Sequence, residues 1–122
     1  MLEVLRFDDP FSEMFAVSSL ISKPLYLINV FTPKPGRIDD FIATQLEGVA
    51  QLGDIRGLTA SRLFRAEDGT RAIQMAAFES VDAHKEFQQS AEFRALRETL
   101  LPLIDRTDPG YFRLVHERSP SR

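Results

Sequence analysis

Apolar residues change their spacing several times along this chain, and the changes predict its secondary structure. Four segments are rich in β-branched and aromatic side chains, which is typical of strands: residues 25–32, 58–65, 71–79 and 111–117. Between them, apolar residues recur at helical spacing over 38–52 and over 83–103, with a bend expected near Ser90. The order strand, helix, strand, strand, helix, strand predicts a ferredoxin-like α+β fold with a four-stranded antiparallel sheet.

Turn and capping residues predict where these elements begin and end. The Pro33–Gly36 segment ends the first strand, and Asp68-Gly69 is a strong hairpin signal between the second and third strands. Ser80 is expected to cap the second helical region. Asp108-Pro109-Gly110 has the composition of a loop, so we expect the last strand to begin only at Tyr111.

The chain divides into three parts by this pattern. Residues 1–24 predict an apolar arm, a short helix or a partly ordered segment, in which Asp9 can cap and Pro10 can open a helix. Residues 25–117 form the predicted domain. Residues 118–122 are polar and are expected to be loose.

Both faces of the predicted strands carry apolar side chains. On the first strand, Leu25, Leu27, Asn29 and Phe31 point one way and Tyr26, Ile28 and Val30 point the other. Two apolar helical stripes can cover only one face: Ile38, Phe41, Ile42, Leu46, Val49 and Leu52, and then Phe93, Leu96, Leu100 and Leu103. Because monomers rarely expose an apolar patch of this size, we expect a homodimer that pairs through the second sheet face and forms a dimeric α+β barrel.

Composition narrows the function classes. The chain has 122 residues, a net charge of -3 and no cysteine, which excludes disulfides, thiolate metal sites and cysteine nucleophiles. The sequence shows no stripe of basic residues of the kind that binds nucleic acid. No segment reaches the roughly 20 apolar residues that a membrane span needs. The two histidines, His84 and His116, lie in no metal-binding motif. We expect a cytoplasmic protein with no metal, no nucleic-acid partner and no membrane contact.

Three sequence motifs resemble the antibiotic biosynthesis monooxygenase superfamily of dimeric α+β barrels. INVFTPKPGRIDDF runs from the first strand into a helix through a Pro-Gly turn, AAFES ends the third strand, and AHKEFQQSAEF follows it. A loop rich in Pro and Gly before the last strand and the chain length fit as well. The resemblance covers residues 26–117, about three quarters of the chain.

The resemblance implies a pocket between sheet and helices and, in several members, an oxygenase that needs no cofactor. Asn29 matches an asparagine that lines this pocket in several members, and Phe78 stands where many have tryptophan. Heme-degrading members need a histidine where this chain has Arg97, and many others carry one where this chain has Phe87. Heme degradation is therefore disfavoured, and no cofactor is expected.

Two residues are the candidate catalytic groups. Asn29 either orients a phenol, an enolate or a group derived from dioxygen, or it bonds a neighbouring backbone group. His84 has a pKa suited to a general base, but its charged neighbours also fit a surface histidine on a helix. His116 shares its predicted strand face with Phe112 and Leu114, which favours a core or interface position.

Other residues are candidates for substrate binding. Arg62 and Gln74 interrupt apolar strands and would bind a substrate oxygen if both face the helices. Tyr26 is expected in the dimer interface, and Tyr111 either packs at a strand edge or donates a proton in a pocket. Phenylalanines suit the walls of a site for a flat aromatic ligand, and they suit an ordinary core equally well: Phe31, Phe41, Phe78, Phe87 and Phe93.

Two functions of different classes follow. The first is a cofactor-independent monooxygenase of a small electron-rich aromatic compound, such as a quinol or a polyketide-like ring, which supplies the electrons itself. The second is a non-catalytic dimeric barrel that binds a small apolar ligand or acts as an accessory protein. RNA binding is disfavoured because the third strand, RAIQMAAFE, lacks the glycine and exposed aromatic residues of an RNA-recognition sheet.

Overall fold

A computed structural model describes residues 24–120. Within them, an antiparallel sheet carries its helices on one face. The strands are β1 (Leu25–Pro33), β2 (Leu58–Arg65), β3 (Ala72–Phe78) and β4 (Ile104–Phe112). The helices are α1 (Ile38–Leu52), α2 (Val81–Gln88) and α3 (Ala91–Leu100), and a 3₁₀ turn, Leu101–Leu103, leads into β4.

The sheet has the strand order β2-β3-β1-β4, which confirms the predicted ferredoxin-like topology. The central strand β1 pairs with β3 on one side and β4 on the other, all antiparallel. Asn29 lies opposite Gln74 on β3 and opposite Pro109 on β4. Side chains alternate between the two faces of a strand, so Asn29 and Gln74 share a face. We call it the helix face, and the opposite side the outer face.

The last strand begins seven residues before its predicted start. It runs from Ile104 to Phe112, so the Asp108-Pro109-Gly110 segment lies inside a strand and not in a loop. A proline removes one ladder hydrogen bond, and an edge strand can accommodate that loss because one of its sides has no neighbour. The expectation of a strand at 111–117 is therefore wrong, and His116 lies exposed beyond the strand.

The first helix buries a slightly different stripe from the one predicted. Ile38 and Phe41 are buried as expected, but Leu46 is 57% exposed. Gln45 is buried in its place, four residues after Phe41 and seven after Ile38. These intervals keep it on one side of the helix, because a helix repeats every 3.6 residues. A polar side chain thus lies on the face that packs against the sheet.

The second helical region divides in two, as the expected bend near Ser90 predicts. The side-chain oxygen of Ser80 accepts a hydrogen bond from the backbone N–H of Ala83 at 3.0 Å, and that of Ser90 accepts one from Phe93 at 3.1 Å. Both serines are therefore N-caps. Three apolar residues of this region are buried and join Ile38, Phe41 and Ala72 in the core: Leu96, Leu100 and Leu103.

The predicted N-terminal arm, residues 1–24, lies outside the described residues except for its last position. The last two residues of the predicted tail also lie outside them.

Candidate functional site

A cavity of about 330 Å³ lies between the helix face of the sheet and the helices. Its walls are mainly apolar, with Leu27, Val49 and Ala76 among them. Eight polar side chains also line it: Asn29, Gln45, Ser61, Gln74, His84, Gln88, Arg97 and Thr107. Small-molecule sites in proteins have this size and this mixture of apolar walls and few polar groups.

The first polar group is the carboxamide of Asn29. Thr107 on β4 donates its hydroxyl hydrogen to Asn29 Oδ1 over 2.6 Å. The strand register explains the contact: Pro109 lies opposite Asn29, and Thr107, two residues before it, is the diagonal neighbour on the same face. Among residues 24–120, Asn29 Nδ2 has no hydrogen-bond partner. Its two N–H groups are free to bind an acceptor in the cavity.

The second polar group is a pair of glutamines that joins α1 to the sheet. Gln45 Nε2 donates to Gln74 Oε1 at 3.0 Å, and Gln74 Nε2 donates to the backbone carbonyl of Arg62 at 3.1 Å. This chain of hydrogen bonds runs from the helix across β3 to β2. It places two amide groups in the cavity wall.

The third polar group is a histidine and tyrosine pair. His84 is only 3% exposed, and its Nδ1 lies 2.8 Å from the hydroxyl oxygen of Tyr111. The two rings meet edge to face, with centroids 5.5 Å apart. Burial lowers the pKa of His84 below its ordinary value of 6.5. The imidazole is therefore neutral at pH 7 and able to accept a proton.

Aromatic rings surround this histidine. The centroid of the Phe78 ring lies 5.0 Å from that of His84 and 6.0 Å from that of Phe87. Phe87 in turn lies 4.8 Å from Phe93. All three phenylalanines line the cavity. They form a nearly continuous aromatic wall, which suits a flat apolar ligand.

The structure brings together six of the eight residues that the sequence singled out as a site. Asn29, Phe31, Gln74, Phe78, His84 and Phe87 all line the cavity. Phe41 does not: it is fully buried in the core, where its ring packs 4.9 Å from Phe31. Arg62 does not either, because it pairs with Met75 on the outer face, so a role in this cavity is wrong for it.

Two other sequence interpretations change, those for His84 and His116, and one, for the face of Tyr26, holds. The surface reading of His84 is wrong, since the side chain is buried against Phe78. Tyr26 lies on the outer face, as expected from its position between Leu25 and Leu27. His116 shares no strand face with Phe112, because β4 ends at that residue.

Sequence reasoning missed two partners and one buried amide. A last strand that starts only at Tyr111 leaves Thr107 outside the sheet and gives no register that would place either residue beside Asn29 or His84. Gln45 was overlooked because Leu46 was assigned to the buried stripe. The spacing of Gln45 from Ile38 and Phe41 is the signal that could have identified it.

Two shallower depressions lie on the solvent side of the helices. One is bordered by Thr44, Glu47 and Glu92, and the other by Asp54 and Arg56 among others. Neither is lined by a buried polar side chain. Within residues 24–120, no three His, Asp or Glu side chains come together in a way that could hold a metal ion. No helix in the same part of the chain is long and apolar enough to cross a membrane.

The fold and the cavity define a small ferredoxin-like α+β domain with a ligand-sized chamber between sheet and helices. Residues 24–99 match the antibiotic biosynthesis monooxygenase family. The match covers more than half of the chain, so this protein belongs to that family. Among curated protein sequences, none matches it significantly.

Solved structures have the same fold. A candidate antibiotic biosynthesis monooxygenase from Bordetella bronchiseptica is 24% identical, with 77% of this chain and 99% of that chain covered and a TM-score of 0.70. A variant of SnoaB, a cofactor-independent oxygenase from Streptomyces nogalater, is 19% identical, with 78% and 96% covered and a TM-score of 0.69. A protein from Pseudomonas aeruginosa is 18% identical, with 78% and 97% covered and a TM-score of 0.68.

Proposed function

We propose that this protein is a cofactor-independent monooxygenase that acts on a small electron-rich aromatic compound, either a quinol or a polyketide-like ring. The observation that carries the proposal is a neutral, buried histidine within an aromatic-walled cavity. Membership of the antibiotic biosynthesis monooxygenase family and the likeness to SnoaB support an oxygenase.

The substrate supplies the electrons in this proposal. Loss of a proton turns the ring into an electron-rich anion, which transfers one electron to dioxygen. The two radicals then combine to a peroxide. For a ring methylene, loss of water from the peroxide leaves a ketone, so that one oxygen atom enters the product and the other leaves in water. The balance is R₂CH₂ + O₂ → R₂CO + H₂O.

His84 is the proposed general base. A base works best when it is unprotonated at the working pH, and burial keeps the His84 pKa below its ordinary value of 6.5. When His84 Nδ1–H donates to the Tyr111 oxygen, the second ring nitrogen, Nε2, is the one that can accept a proton. Tyr111 then acts as a positioning residue that holds the imidazole in this tautomer.

Asn29 is the proposed stabiliser of the anion. Its free N–H groups can donate to the oxygen on which negative charge develops, while Thr107 holds the other end of the carboxamide. The phenylalanines of the wall exclude water from the ring and strengthen this interaction. Phe31, Phe78 and Phe87 are accordingly the proposed contacts of the aromatic substrate.

Oxygen uptake by chelator-treated protein, with a panel of quinols and anthrone-like compounds, tests the proposal. We expect uptake above the rate without protein, and a loss of about 100-fold or more in His84→Ala and in Asn29→Ala. His116→Ala is the matched control and is expected to keep the wild-type rate. Ligand binding without oxygen uptake would favour the non-catalytic barrel instead.

We further propose that two copies of the chain pair through the outer faces of their sheets. Three large apolar side chains stand half exposed on that face: Ile73 (37%), Phe64 (47%) and Phe112 (49%). Ile28, Val30 and Met75 lie beside them. An apolar patch of this kind is characteristic of an interface, and a second copy presents a matching one.

A further inference from the structure

Gln45 has a buried hydrogen-bond acceptor that no described residue satisfies. The side chain is 7% exposed and lines the cavity, and its Oε1 has no hydrogen-bond partner among residues 24–120. Buried side-chain oxygens are nearly always paired, so each exception calls for an explanation. Its other terminal atom, Nε2, already donates to Gln74.

The neighbouring hydrogen bonds determine which way both glutamine amides point. The backbone carbonyl of Arg62 can only accept, so Gln74 must turn its N–H₂ towards it. Gln74 Oε1 then faces α1, and Gln45 must turn its own N–H₂ towards that oxygen. Reversing either amide would set two oxygens or two N–H₂ groups against each other. Gln45 Oε1 is therefore left as the open end of the chain.

We propose that Gln45 is a specificity-determining residue whose Oε1 accepts a hydrogen bond from a hydroxyl group of the bound ligand. An acceptor of this kind favours a hydroxyarene over the same ring system without the O–H hydrogen, because the second compound leaves the oxygen unpaired. The inference depends on the proposed function only for the aromatic nature of the ligand.

A ligand hydroxyl reaches this oxygen after a small adjustment of the side chain. Gln45 Oε1 is shielded from solvent as the side chain stands, but the terminal torsion of glutamine is broad, so a small rotation that keeps the Nε2 hydrogen bond to Gln74 can turn Oε1 towards the cavity. Val49 and Leu100, which also line the cavity, carry no side-chain donor, and no described residue donates to Oε1. A ligand that supplies the donor completes the chain from Arg62 through Gln74 and Gln45.

The experiment compares matched ligands that differ by one methyl group. Isothermal titration calorimetry under nitrogen measures the dissociation constants of 1-naphthol and 2-naphthol and of their methyl ethers. We expect the wild-type protein to bind the better naphthol on the order of tenfold more tightly than its ether. Without a donor requirement, the more apolar ether would bind at least as well.

Variants assign the preference to the glutamine pair. In the Gln45→Met/Gln74→Met double variant, which leaves no open acceptor on either side chain, we expect the tenfold preference to disappear. Gln51→Met, an exposed position on the same helix, is the control and is expected to keep it.

Equal binding of naphthol and ether by the wild-type protein would overturn the inference without any variant. A preference that persists in the double variant would overturn it too, as would the failure of all four compounds to bind. Because oxygen is absent, these outcomes are independent of oxygenase activity. If only the proposed function is wrong, no oxygen uptake is measured, while the preference for the naphthol is still observed.

Discussion

The two faces of the sheet are both apolar, yet they differ in whether helices cover them and in which polar side chains lie among the apolar ones. On the helix face, Phe78 and Ala76 are buried beneath the helices, and Asn29 and Gln74 lie between apolar neighbours. On the outer face, Ile73 and Phe64 are half exposed, and no helix among the described residues covers them.

The difference shows how to tell a binding site from an interface in a domain of this kind. Apolar content does not separate the faces, because both have it. The buried Gln45 and His84, together with the half-buried amides of Asn29 and Gln74, do separate them, because a polar group taken out of water costs free energy unless it is hydrogen-bonded. The helix face therefore carries the proposed chemistry, and the outer face carries the proposed contact with a second copy.

The largest effect on stability is expected on the covered face. Phe78→Ala should lower the free energy of unfolding by about 4 kcal/mol, because the ring is almost fully buried against His84 and Phe87. Urea denaturation measures the loss, which should not depend on protein concentration. For Phe64→Ala on the outer face, the loss should depend on concentration, because only a second copy covers that ring. Equal, concentration-independent losses would remove the distinction between the faces.

A charge on the outer face should separate the proposed dimer. Ile73→Asp would bury a carboxylate against the partner sheet, so we expect the dimer dissociation constant to rise about 100-fold or more, which corresponds to about 3 kcal/mol. Light scattering measures the molar mass over a dilution series. Leu46→Asp, at an equally apolar but exposed position on α1, should leave the mass unchanged. A wild-type protein that is monomeric at micromolar concentration would contradict the pairing.

The smallest effect concerns the pH dependence of stability. The buried His84 has a lowered pKa, so between its ordinary value of 6.5 and that lower value the unfolded chain binds a proton that the folded chain does not. The free energy of unfolding should therefore fall as the pH drops below about 6.5, and it should level off below the folded-state pKa.

Urea denaturation of wild type and His84→Gln at several pH values isolates this contribution. The difference in the free energy of unfolding between the two proteins should be constant above pH 6.5. Below pH 6.5 the wild-type protein should lose more of this free energy than the variant does. A difference that stays constant down to the acid range would mean that His84 titrates normally. That result would also weaken its proposed role as a base that remains neutral at pH 7.

The sequence by itself determined the types of the elements and most of their bounds. Period-2 and period-3.6 patterns are local, so they identified β1, α1, β3 and the division near Ser90 without any knowledge of the fold. The alternation along β1 also determined that Asn29 and Tyr26 face opposite ways. The AAFES and AHKEFQQSAEF motifs led to the correct family because they cover the end of β3 and the helices that follow it.

The tertiary structure alone decided which side chains meet. Local composition places Pro109 in a loop, whereas the structure places it inside the edge strand β4. Tyr111 contacts His84 only in the register that this strand adopts. Arg62 lies on the outer face because the pairing of β2 with β3 shifts between Leu58 and Ala60, and one extra residue exchanges the two faces of a strand. Registers and contacts of this kind depend on residues that are distant in sequence, and no local pattern contains them.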